Sequence, residues 1–356
     1  MTLIIAEAGV NHNGDAQLAR DLVTAAYNSG ANVVKFQTFK AKNLASVKAE
    51  QASYQKENTG KDESQLSMLQ RLELSYDLHH ELVGYCNELG IEFLSTAFDD
   101  ESLDFLVNDL GLKRLKIPSG EITNAPLVLK HAQTECDLIV STGMATMAEI
   151  EAVLGVIAFG YLNTDAAFAS RSDFETAYAS EQGQQLLRNK VTVLHCTTEY
   201  PAPMEEINLN AMDTIANTFK LNTGYSDHSR GITIPIAAAA KGARIIEKHF
   251  TLDRNLDGPD HKASLEPNEL KSMVDAIRDV EMALGDGVKK PTVSEVKNKA
   301  IARKSLVAAR NIKTGQVITG DDLAIKRPGD GRSPFDYWQV IDSVATCDVL
   351  EDDLIK

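Results

Sequence analysis

The chain has few cysteines and no long apolar run. Its 356 residues include four cysteines, at positions 86, 136, 196 and 347, and none of them forms a C-x-x-C pair. Cysteines this sparse exclude a disulfide-stapled scaffold and are typical of a reducing compartment. No stretch approaches the ~18 apolar residues that a membrane-spanning helix needs, and the N-terminus lacks a basic signal-like region. We therefore expect a cytoplasmic protein that does not enter a membrane.

Positive charge is also in short supply. There are 51 Asp and Glu against 36 Lys and Arg, which gives a formal net charge of −15. A surface this acidic repels a phosphate backbone, so nucleic acid is excluded as a general partner. Any bound anion must instead meet a few locally placed cations. The hydrophobic fraction of 43% is ordinary for a globular protein, and the length leaves room for about two domains.

Eight short apolar runs alternate with amphipathic stretches over the first 285 residues. The first run covers residues 3–6 and the last covers residues 243–246. After the first run, Asp15 is placed to cap a helix that Gly30 closes. Alternation of this kind predicts a (β/α)8 TIM barrel over residues 1–285. The number of runs alone leaves a doubly wound open sheet as the rival.

Two insertions and a tail break this rhythm. Residues 39–75 are polar and follow the second run, so a barrel would place them on its catalytic face as a long loop. Residues 162–189 lengthen the segment after the fifth helix, on the opposite face. Residues 286–300 turn polar and predict a linker. Residues 301–356 have turn signals between short pieces, which predicts a small, separate β-rich module.

Polar and chemically capable side chains end nearly every apolar run. The carboxyl ends of all strands of a barrel meet at one mouth, where active sites are built. Because so many of the predicted strands end in polar side chains, a functional site is favoured over strand ends that merely contact solvent. They bring together Glu7, Lys35, Gln37, Thr96, Lys116, Ser119, Glu121, Ser141, Thr198, Tyr200, Ser226, His228 and His249.

Histidines end the seventh and eighth runs, and a barrel makes these runs neighbours. His228 and His249, with Glu247 and Asp260 nearby, suit a divalent metal such as Mn²⁺ with open coordination positions. For either histidine alone, a satisfied core position is the alternative. His12 and His195 also lie near strand ends, and they stay open as ligands or hydrogen-bond donors.

Two lysines and two carboxylates also close apolar runs. An ammonium in such a position needs a partner, so Lys35 and Lys116, together with the strand-end hydroxyls, are candidates to hold a phosphate or a carboxylate. Glu7 and Glu121 are candidates for acid–base work or for accepting sugar hydroxyls. Asp260 lies in a polar loop, so a surface position is the alternative to a functional role for it. No P-loop and no nicotinamide fingerprint follows the first run.

Together these segments resemble the bacterial sialic acid (N-acetylneuraminate) synthase family. The tail is similar to the antifreeze-like (SAF) domain that ends those enzymes. The motifs that carry the resemblance run in order along the chain: AEAGVNHNG from residue 6, KFQT from 35, STAF from 95, KIPSGE from 116, STGM from 141, HCTTEYP from 195, SDH from 226, EKHFT from 247, ARKSL from 302 and KRPGDG from 326.

The resemblance implies a metal-dependent condensation of phosphoenolpyruvate with N-acetylmannosamine and water, which yields N-acetylneuraminate and phosphate. It implies that His228 and His249 bind Mn²⁺ or Mg²⁺. It further implies a domain-swapped homodimer in which Arg327 of the tail contacts the N-acetyl group in the partner's site. The residues implied to hold phosphoenolpyruvate are Lys35, Thr96, Lys116, Ser119, Ser141 and Ser226, with Thr198 where some members have Asn. Those implied to contact the sugar are Glu7, Gln37, Glu121, Tyr200 and Asp260, with Glu7 or Glu121 activating water.

Two alternatives remain at this point. One is a synthase of legionaminic or pseudaminic acid that uses a 2,4-diacetamido-2,4,6-trideoxyhexose; the segment 54–60 favours the neuraminate and legionaminate branches. The other, from a different class, is a non-catalytic sugar- or ice-binding protein. Paired histidines beside paired lysines argue against that second alternative, because a pure binder has no use for them.

Overall fold

The computed structural model describes residues 1–60 and 63–355, without the side chain of Tyr54. Residues 61 and 62 of the 39–75 insertion, Lys356 at the end of the tail and the Tyr54 side chain of the segment 54–60 lie outside the described residues. The chain divides into two units, Met1–Gly285 and Asp286–Lys356.

A closed barrel of eight parallel strands forms the first unit. The strands follow one another around the barrel in chain order, and the last pairs with the first. This confirms the predicted TIM barrel and excludes the open sheet. The strands are β1 Leu3–Gly9, β2 Val33–Thr38, β3 Glu92–Ala97, β4 Arg114–Ile117, β5 Asp137–Ser141, β6 Val191–His195, β7 Asn222–Asp227 and β8 Ile245–His249.

Helices cover the outside of the barrel, where they bury the outward faces of the strands. Helix α1 begins after Asp15, whose carboxylate accepts the Leu18 N–H, and it ends before Gly30, which has a φ of +80°. The helices of this unit are α1 Ala16–Asn28, α2 Ala41–Leu44, α3 Ser53–Thr59, α4 Gln65–Leu72, α5 Tyr76–Leu89, α6 Asp100–Asp104, α7 Ala125–Gln133, α8 Met147–Leu162, α9 Arg171–Ala179, α10 Glu181–Lys190, α11 Asn210–Phe219, α12 Thr233–Ala240 and α13 Pro267–Leu284.

The inside of the barrel has an apolar floor. It consists of one buried side chain from each of six strands: Ile5, Val33, Leu94, Ile139, Leu194 and Ile245. Side chains two residues apart on a strand share a face. The residues two positions after five of these floor residues are Glu7, Lys35, Thr96, Ser141 and Glu247. A polar layer therefore lies directly on the floor, on the side of the mouth.

The two insertions are helical. The stretch 39–75, expected as a loop, contains α2, α3 and α4, and the stretch 162–189 contains α9 and α10. Helix α3 is held to the segment after β8, because Asn58 Nδ2 donates to the Pro259 carbonyl at 2.7 Å and Lys262 Nζ donates to the Glu57 carbonyl at 3.1 Å. The 39–75 insertion thus lies beside the mouth of the barrel.

The second unit is small and contains a two-stranded antiparallel sheet, β9 Ser305–Ala308 and β10 Leu323–Lys326. Its buried core includes Leu306, Ile312, Ile318 and Val340. Where a linker is expected, helix α14 (Val293–Ala302) starts with a capping box formed by Thr292 and Glu295. A short helix, α15 (Tyr337–Val340), lies near the end. Within the described residues, no helix has the length and apolarity needed to cross a membrane.

Candidate active site

The mouth of the barrel holds a cavity of about 340 Å³. All the predicted site residues of the barrel line it. They are Glu7, Lys35, Gln37, Thr96, Lys116, Ser119, Glu121, Ser141, Thr198, Tyr200, Ser226, His228, His249 and Asp260.

Two lysines and two carboxylates form an ionic cluster at the bottom of this cavity. Lys35 Nζ lies 2.7 Å from Glu7 Oε2 and 3.6 Å from Glu247 Oε2, and Lys116 Nζ lies 2.7 Å from Glu247 Oε1. Lys35 also donates to Thr96 Oγ1 at 3.1 Å, and Ser226 Oγ donates to Glu247 Oε1 at 2.8 Å. All four charged side chains are buried. They form a compact set of charges with one face toward the cavity.

Burial and mutual attraction shift the pKa values of this cluster in different directions. Burial raises the pKa of Glu7 to about 7, although Lys35 opposes the rise. Burial would also raise the pKa of Glu247, but Lys116 and Lys35 outweigh it and lower that pKa. Burial lowers the pKa of Lys116, and Glu247 offsets only part of this. One carboxylate is thus held ionised between two cations, while the other titrates near neutrality.

Glu247 is the central residue of this cluster, and the sequence analysis treated it only as a carboxylate near the metal pair. The alternation of side chains along β8 already indicated that Glu247 faces the inside of the barrel. Glu247 and His249 are two residues apart and share the inner face, so a histidine placed in the mouth brings Glu247 with it.

The two predicted metal-ligating histidines lie side by side. The ring centroids of His228 and His249 are 5.6 Å apart, and the ring of Tyr200 lies 4.1 Å from that of His228. Burial lowers the pKa of His228 to about 4 and that of His249 well below its usual value, so both imidazoles are neutral at pH 7. Neutral imidazole is the form that binds a metal.

The donor atoms fit a divalent metal ion. His228 Nδ1 donates to the Thr197 carbonyl at 2.5 Å, which leaves the Nε2 lone pair for a metal. His249 Nδ1 is buried without a hydrogen-bond partner in the described part of the chain. No group of three His, Cys, Asp or Glu side chains suited to a metal occurs among the described residues. An ion held here by two imidazoles would keep open positions for a substrate.

Asp260 is buried, which excludes the surface position that its polar loop left open as the alternative. The polar loop that carries it folds over the mouth and places Asp260 Oδ2 3.9 Å from His249 Nδ1. Burial raises the pKa of its carboxyl group to about 6. The loop is exposed at residues 255–257 and turns inward at residues 258–260, so its composition alone does not distinguish the two environments.

Hydroxyl groups line the half of the mouth above β4 to β7. Ser141 Oγ and Thr198 Oγ1 are buried without a hydrogen-bond partner in the described residues, so they are available to a ligand. Ser119 Oγ accepts the Gly143 N–H at 2.9 Å. A Cβ at Gly143 would lie 2.1 Å from Thr198 Oγ1, which explains the glycine. Glu121 is half-buried at the rim and accepts from Asn124 Nδ2 at 2.7 Å.

Apolar side chains line the other half of the mouth, and the sequence analysis missed them. They come from the segments after β1, β2 and β3. We call them the apolar wall: Val10, Leu44, Met68, Leu69, Leu72 and Phe98.

Three candidate residues lie elsewhere. His12 Nδ1 accepts the Gly14 N–H at 2.9 Å, and His195 Nε2 lies 2.8 Å from the Ile207 carbonyl oxygen. Neither histidine lines the cavity; His12 is buried, and His195 is half-buried at the end of β6. Arg327 belongs to the second unit, where it is exposed and its Nε donates to the Ala302 carbonyl at 3.1 Å.

Known proteins resemble this chain over its whole length. The model of the NeuB family matches residues 22–289, and that of the SAF domain matches residues 303–356. The N,N'-diacetyllegionaminic acid synthase of Campylobacter jejuni is 51% identical over 100% of this chain and 99% of that protein. The synthase of the same name from Legionella pneumophila is 46% identical over 96% and 89%. A solved N-acetylneuraminic acid (sialic acid) synthetase from Leptospira borgpetersenii superposes with a TM-score of 0.66, at 31% identity over 83% and 90%.

Proposed function

The chain belongs to the NeuB family, and on that premise we propose that it is an N,N'-diacetyllegionaminic acid synthase. It would condense phosphoenolpyruvate with a 2,4-diacetamido-2,4,6-trideoxyhexose and water, releasing phosphate. The observation that carries this choice is the 51% identity, over the full length of both chains, with the Campylobacter jejuni enzyme of that name. The related choice that the sequence analysis favoured, N-acetylmannosamine as acceptor, becomes the second candidate.

Phosphoenolpyruvate binds on the polar half of the mouth in this proposal. Lys35 and Lys116 face its phosphate and carboxylate groups, and the unpartnered hydroxyls of Ser141 and Thr198 donate to its oxygens. Ser119 and Ser226 of this half, together with Thr96 on β3, complete the site. Glu247 holds both lysines in place through its two oxygens.

The sugar binds between this site and the histidine pair. Gln37, Glu121, Tyr200 and Asp260 line the cavity there and are placed to hold its hydroxyl and amide groups. A divalent ion, Mn²⁺ or Mg²⁺, bound by His228 and His249 would polarise the aldehyde of the open-chain sugar.

The reaction needs little from a base at its start, because phosphoenolpyruvate is already an enol ether. Its terminal carbon attacks the aldehyde carbon, a C–C bond forms, and the electron pair of the C=O bond moves to the aldehyde oxygen, which takes up the proton released when water adds in the next step. Positive charge develops at the carbon that bears the phosphate. Water adds at that carbon, and Glu7, buried beside Lys35, is placed to take its proton. The tetrahedral intermediate then expels phosphate, and the two lysines stabilise its charge. Glu121, at the rim, is placed to orient the sugar.

We also propose a domain-swapped homodimer in which Arg327 of one protomer serves the site of its partner. The planar donors of an exposed guanidinium suit the carbonyl oxygen of an N-acetyl group. An Arg327→Ala variant should show a raised KM for the sugar. An unchanged KM, or a monomeric protein with full activity, would contradict this part of the proposal.

Phosphate release tests the reaction. The protein is incubated with Mn²⁺ and phosphoenolpyruvate, and each amino sugar is offered in turn. We expect release with the diacetamido sugar, and its loss in the His228→Ala and His249→Ala variants. The absence of release with every sugar, from folded protein with metal present, would overturn the synthase. Full activity in either histidine variant would overturn the metal site.

A further inference from the structure

We propose that the apolar wall selects the acceptor by receiving the methyl groups that distinguish a 2,4-diacetamido-2,4,6-trideoxyhexose from N-acetylmannosamine. These are the methyl at C6 and the methyl of the acetamido group at C4. The inference rests on the proposed function, since it names the part of the same cavity that sets acceptor specificity.

Helix α4 supplies one continuous face of the cavity. Its residues Gln65, Met68, Leu69 and Leu72 line the cavity, and their spacing of three, four and seven residues marks one side of an α-helix. Ser64 begins this helix by accepting the Ser67 N–H. Leu66, one position away from this face, does not line the cavity. The side of α4 that faces the cavity therefore has three apolar residues and one amide.

Packing holds this face firmly in position. Met68 and Leu72 are buried in a cluster with Val10 and Phe39. At the other end of the cluster, Phe39 packs edge-on against Phe98 at 6.2 Å. Leu44, Leu69 and Phe98 are only partly buried, so they present apolar surface to the cavity. Three of the four buried residues of this cluster belong to the wall itself, so the wall is the cavity-facing side of a small packed cluster.

The place of the wall around the barrel matches the far end of the sugar. The wall lies in the segments that follow β1 to β3, whereas most residues proposed for phosphoenolpyruvate lie on or after β4 to β7. The exceptions, Lys35 on β2 and Thr96 on β3, belong to the polar layer directly on the barrel floor, below the wall. The reacting aldehyde carbon, C1, must lie between the phosphoenolpyruvate and the histidine pair. In an open-chain hexose, C4 and C6 are at the opposite end from C1. That end extends toward the remaining half of the mouth, which the wall occupies.

The chemistry of the two acceptors then decides which one binds well. N-acetylmannosamine has hydroxyl groups at C4 and C6. The six wall residues have no polar side-chain atom to pair with them, although Gln55 and Gln65 line the cavity beside the wall. The diacetamido sugar places methyl groups there, and Gln65 at the start of the same face offers an amide to the C4 acetamido group. One methylene in an apolar pocket changes kcat/KM about 10- to 200-fold. The wall can therefore separate these acceptors without any change in the reacting groups.

A pair of matched variants on α4 tests the proposal. Leu69→Gln puts an amide into the wall, and Leu66→Gln makes the same change on the same helix away from the cavity. We expect Leu69→Gln to lower the ratio of kcat/KM for the diacetamido sugar over that for N-acetylmannosamine at least about 10-fold. The KM for phosphoenolpyruvate should change less than about twofold. Leu66→Gln should leave the ratio within about twofold.

An unchanged ratio in a folded Leu69→Gln variant would overturn the proposal, and so would an equal fall in the Leu66→Gln control. If Leu69→Gln does not fold, Leu44→Gln on α2 carries the same expectation. Failure of the proposed function looks different: the unmodified protein would then not prefer the diacetamido sugar at all. If the unmodified protein prefers the diacetamido sugar and Leu69→Gln keeps the same preference, only the role of the wall is contradicted.

Discussion

Strand β8 carries two buried charged residues in succession, and they face opposite sides of the barrel wall. Glu247 points inward and joins the ionic cluster of the cavity with Lys35 and Lys116. Lys248 has no exposed surface and pairs with Asp227 at 2.5 Å; its Nζ also donates to the Ser229 carbonyl. Asp227 in turn accepts from the backbone N–H and the hydroxyl of Ser229. Two lysine–carboxylate sets thus lie one residue apart along a single strand.

These two sets differ in what remains for a ligand. The outer set, Lys248 with Asp227 and Ser229, lies away from the cavity, and its members hydrogen-bond to one another. It connects residues 227–229 on either side of His228. The inner set, Glu247 with Lys35 and Lys116, borders the cavity. The hydroxyls of Ser141 and Thr198, which also line the cavity, have no hydrogen-bond partner in the described residues. Burial of charge is therefore not by itself a mark of function. We assign the proposed function to the set that adjoins polar atoms left without a partner in the described residues, because a ligand can satisfy them.

Removing an inner lysine should produce the largest effect on activity. In Lys116→Met, phosphoenolpyruvate loses a cation that stabilises the leaving phosphate, so we expect kcat/KM to fall about 10³-fold. Glu247 keeps Lys35 and Ser226 as partners, so thermal unfolding should change less than in the outer variant described next. Activity within about tenfold of the unmodified protein would show that the inner set is structural.

Removing the outer lysine should act on stability instead. Lys248→Met leaves Asp227 buried without its cation, and breaking a buried pair in this way costs about 3–5 kcal/mol of unfolding free energy. Denaturant unfolding measures this loss, while kcat of the folded variant at low temperature stays within about tenfold. The control is Lys241→Met, which breaks the more exposed pair with Asp213 and should cost less than about 1 kcal/mol. Equal losses of unfolding free energy in Lys248→Met and Lys241→Met would contradict the structural role of the outer pair.

A buried histidine outside the cavity, His131, should likewise affect stability rather than activity, and its effect should depend on pH. His131 on α7 donates from Nδ1 to the Leu127 carbonyl, and burial lowers its pKa from 6.5 to about 4. As pH falls from 6.5 to 4, the unfolded chain binds a proton that the folded chain does not, so stability falls across that window. Between pH 7 and pH 5 this one group should cost about 2 kcal/mol. His131→Gln should reduce the loss measured by denaturant unfolding by that amount, and an identical pH profile would contradict it.

Much of the lining of the cavity could be predicted from the sequence, because an apolar run rarely ends in lysine or histidine without a structural or functional reason. The runs located all eight strands and brought Lys35, Lys116, His228 and His249 to one mouth. The strands extend past the apolar runs, however, and Glu247 was therefore not seen as the partner of both lysines. Asp260 was harder to place from composition alone, because a polar loop has the same composition whether it faces solvent or a polar cavity; the family resemblance implied its place beside the sugar, and it lines the cavity.

The helices of the 39–75 insertion escaped prediction for a different reason. Helices α2 and α3 are short and polar, and α4 has only eight residues, so periodicity had too few turns to show. The barrel motifs lie on the strands and on the loops that directly follow them, outside α4. In the proposed reaction they act mainly at the reacting end of the sugar. The residues that face its other end lie mostly on this insertion. The sequence analysis therefore favoured N-acetylmannosamine, whereas the relatives of highest identity described above support the diacetamido sugar.

Competition between the two acceptors tests the central claim most directly. Equal concentrations of N-acetylmannosamine and the 2,4-diacetamido-2,4,6-trideoxyhexose are mixed with limiting phosphoenolpyruvate, Mn²⁺ and the protein, and the two product acids are measured by mass spectrometry. The product ratio equals the ratio of the two kcat/KM values. We predict that the diacetylated product exceeds N-acetylneuraminate at least about tenfold. A mixture dominated by N-acetylneuraminate would contradict the account.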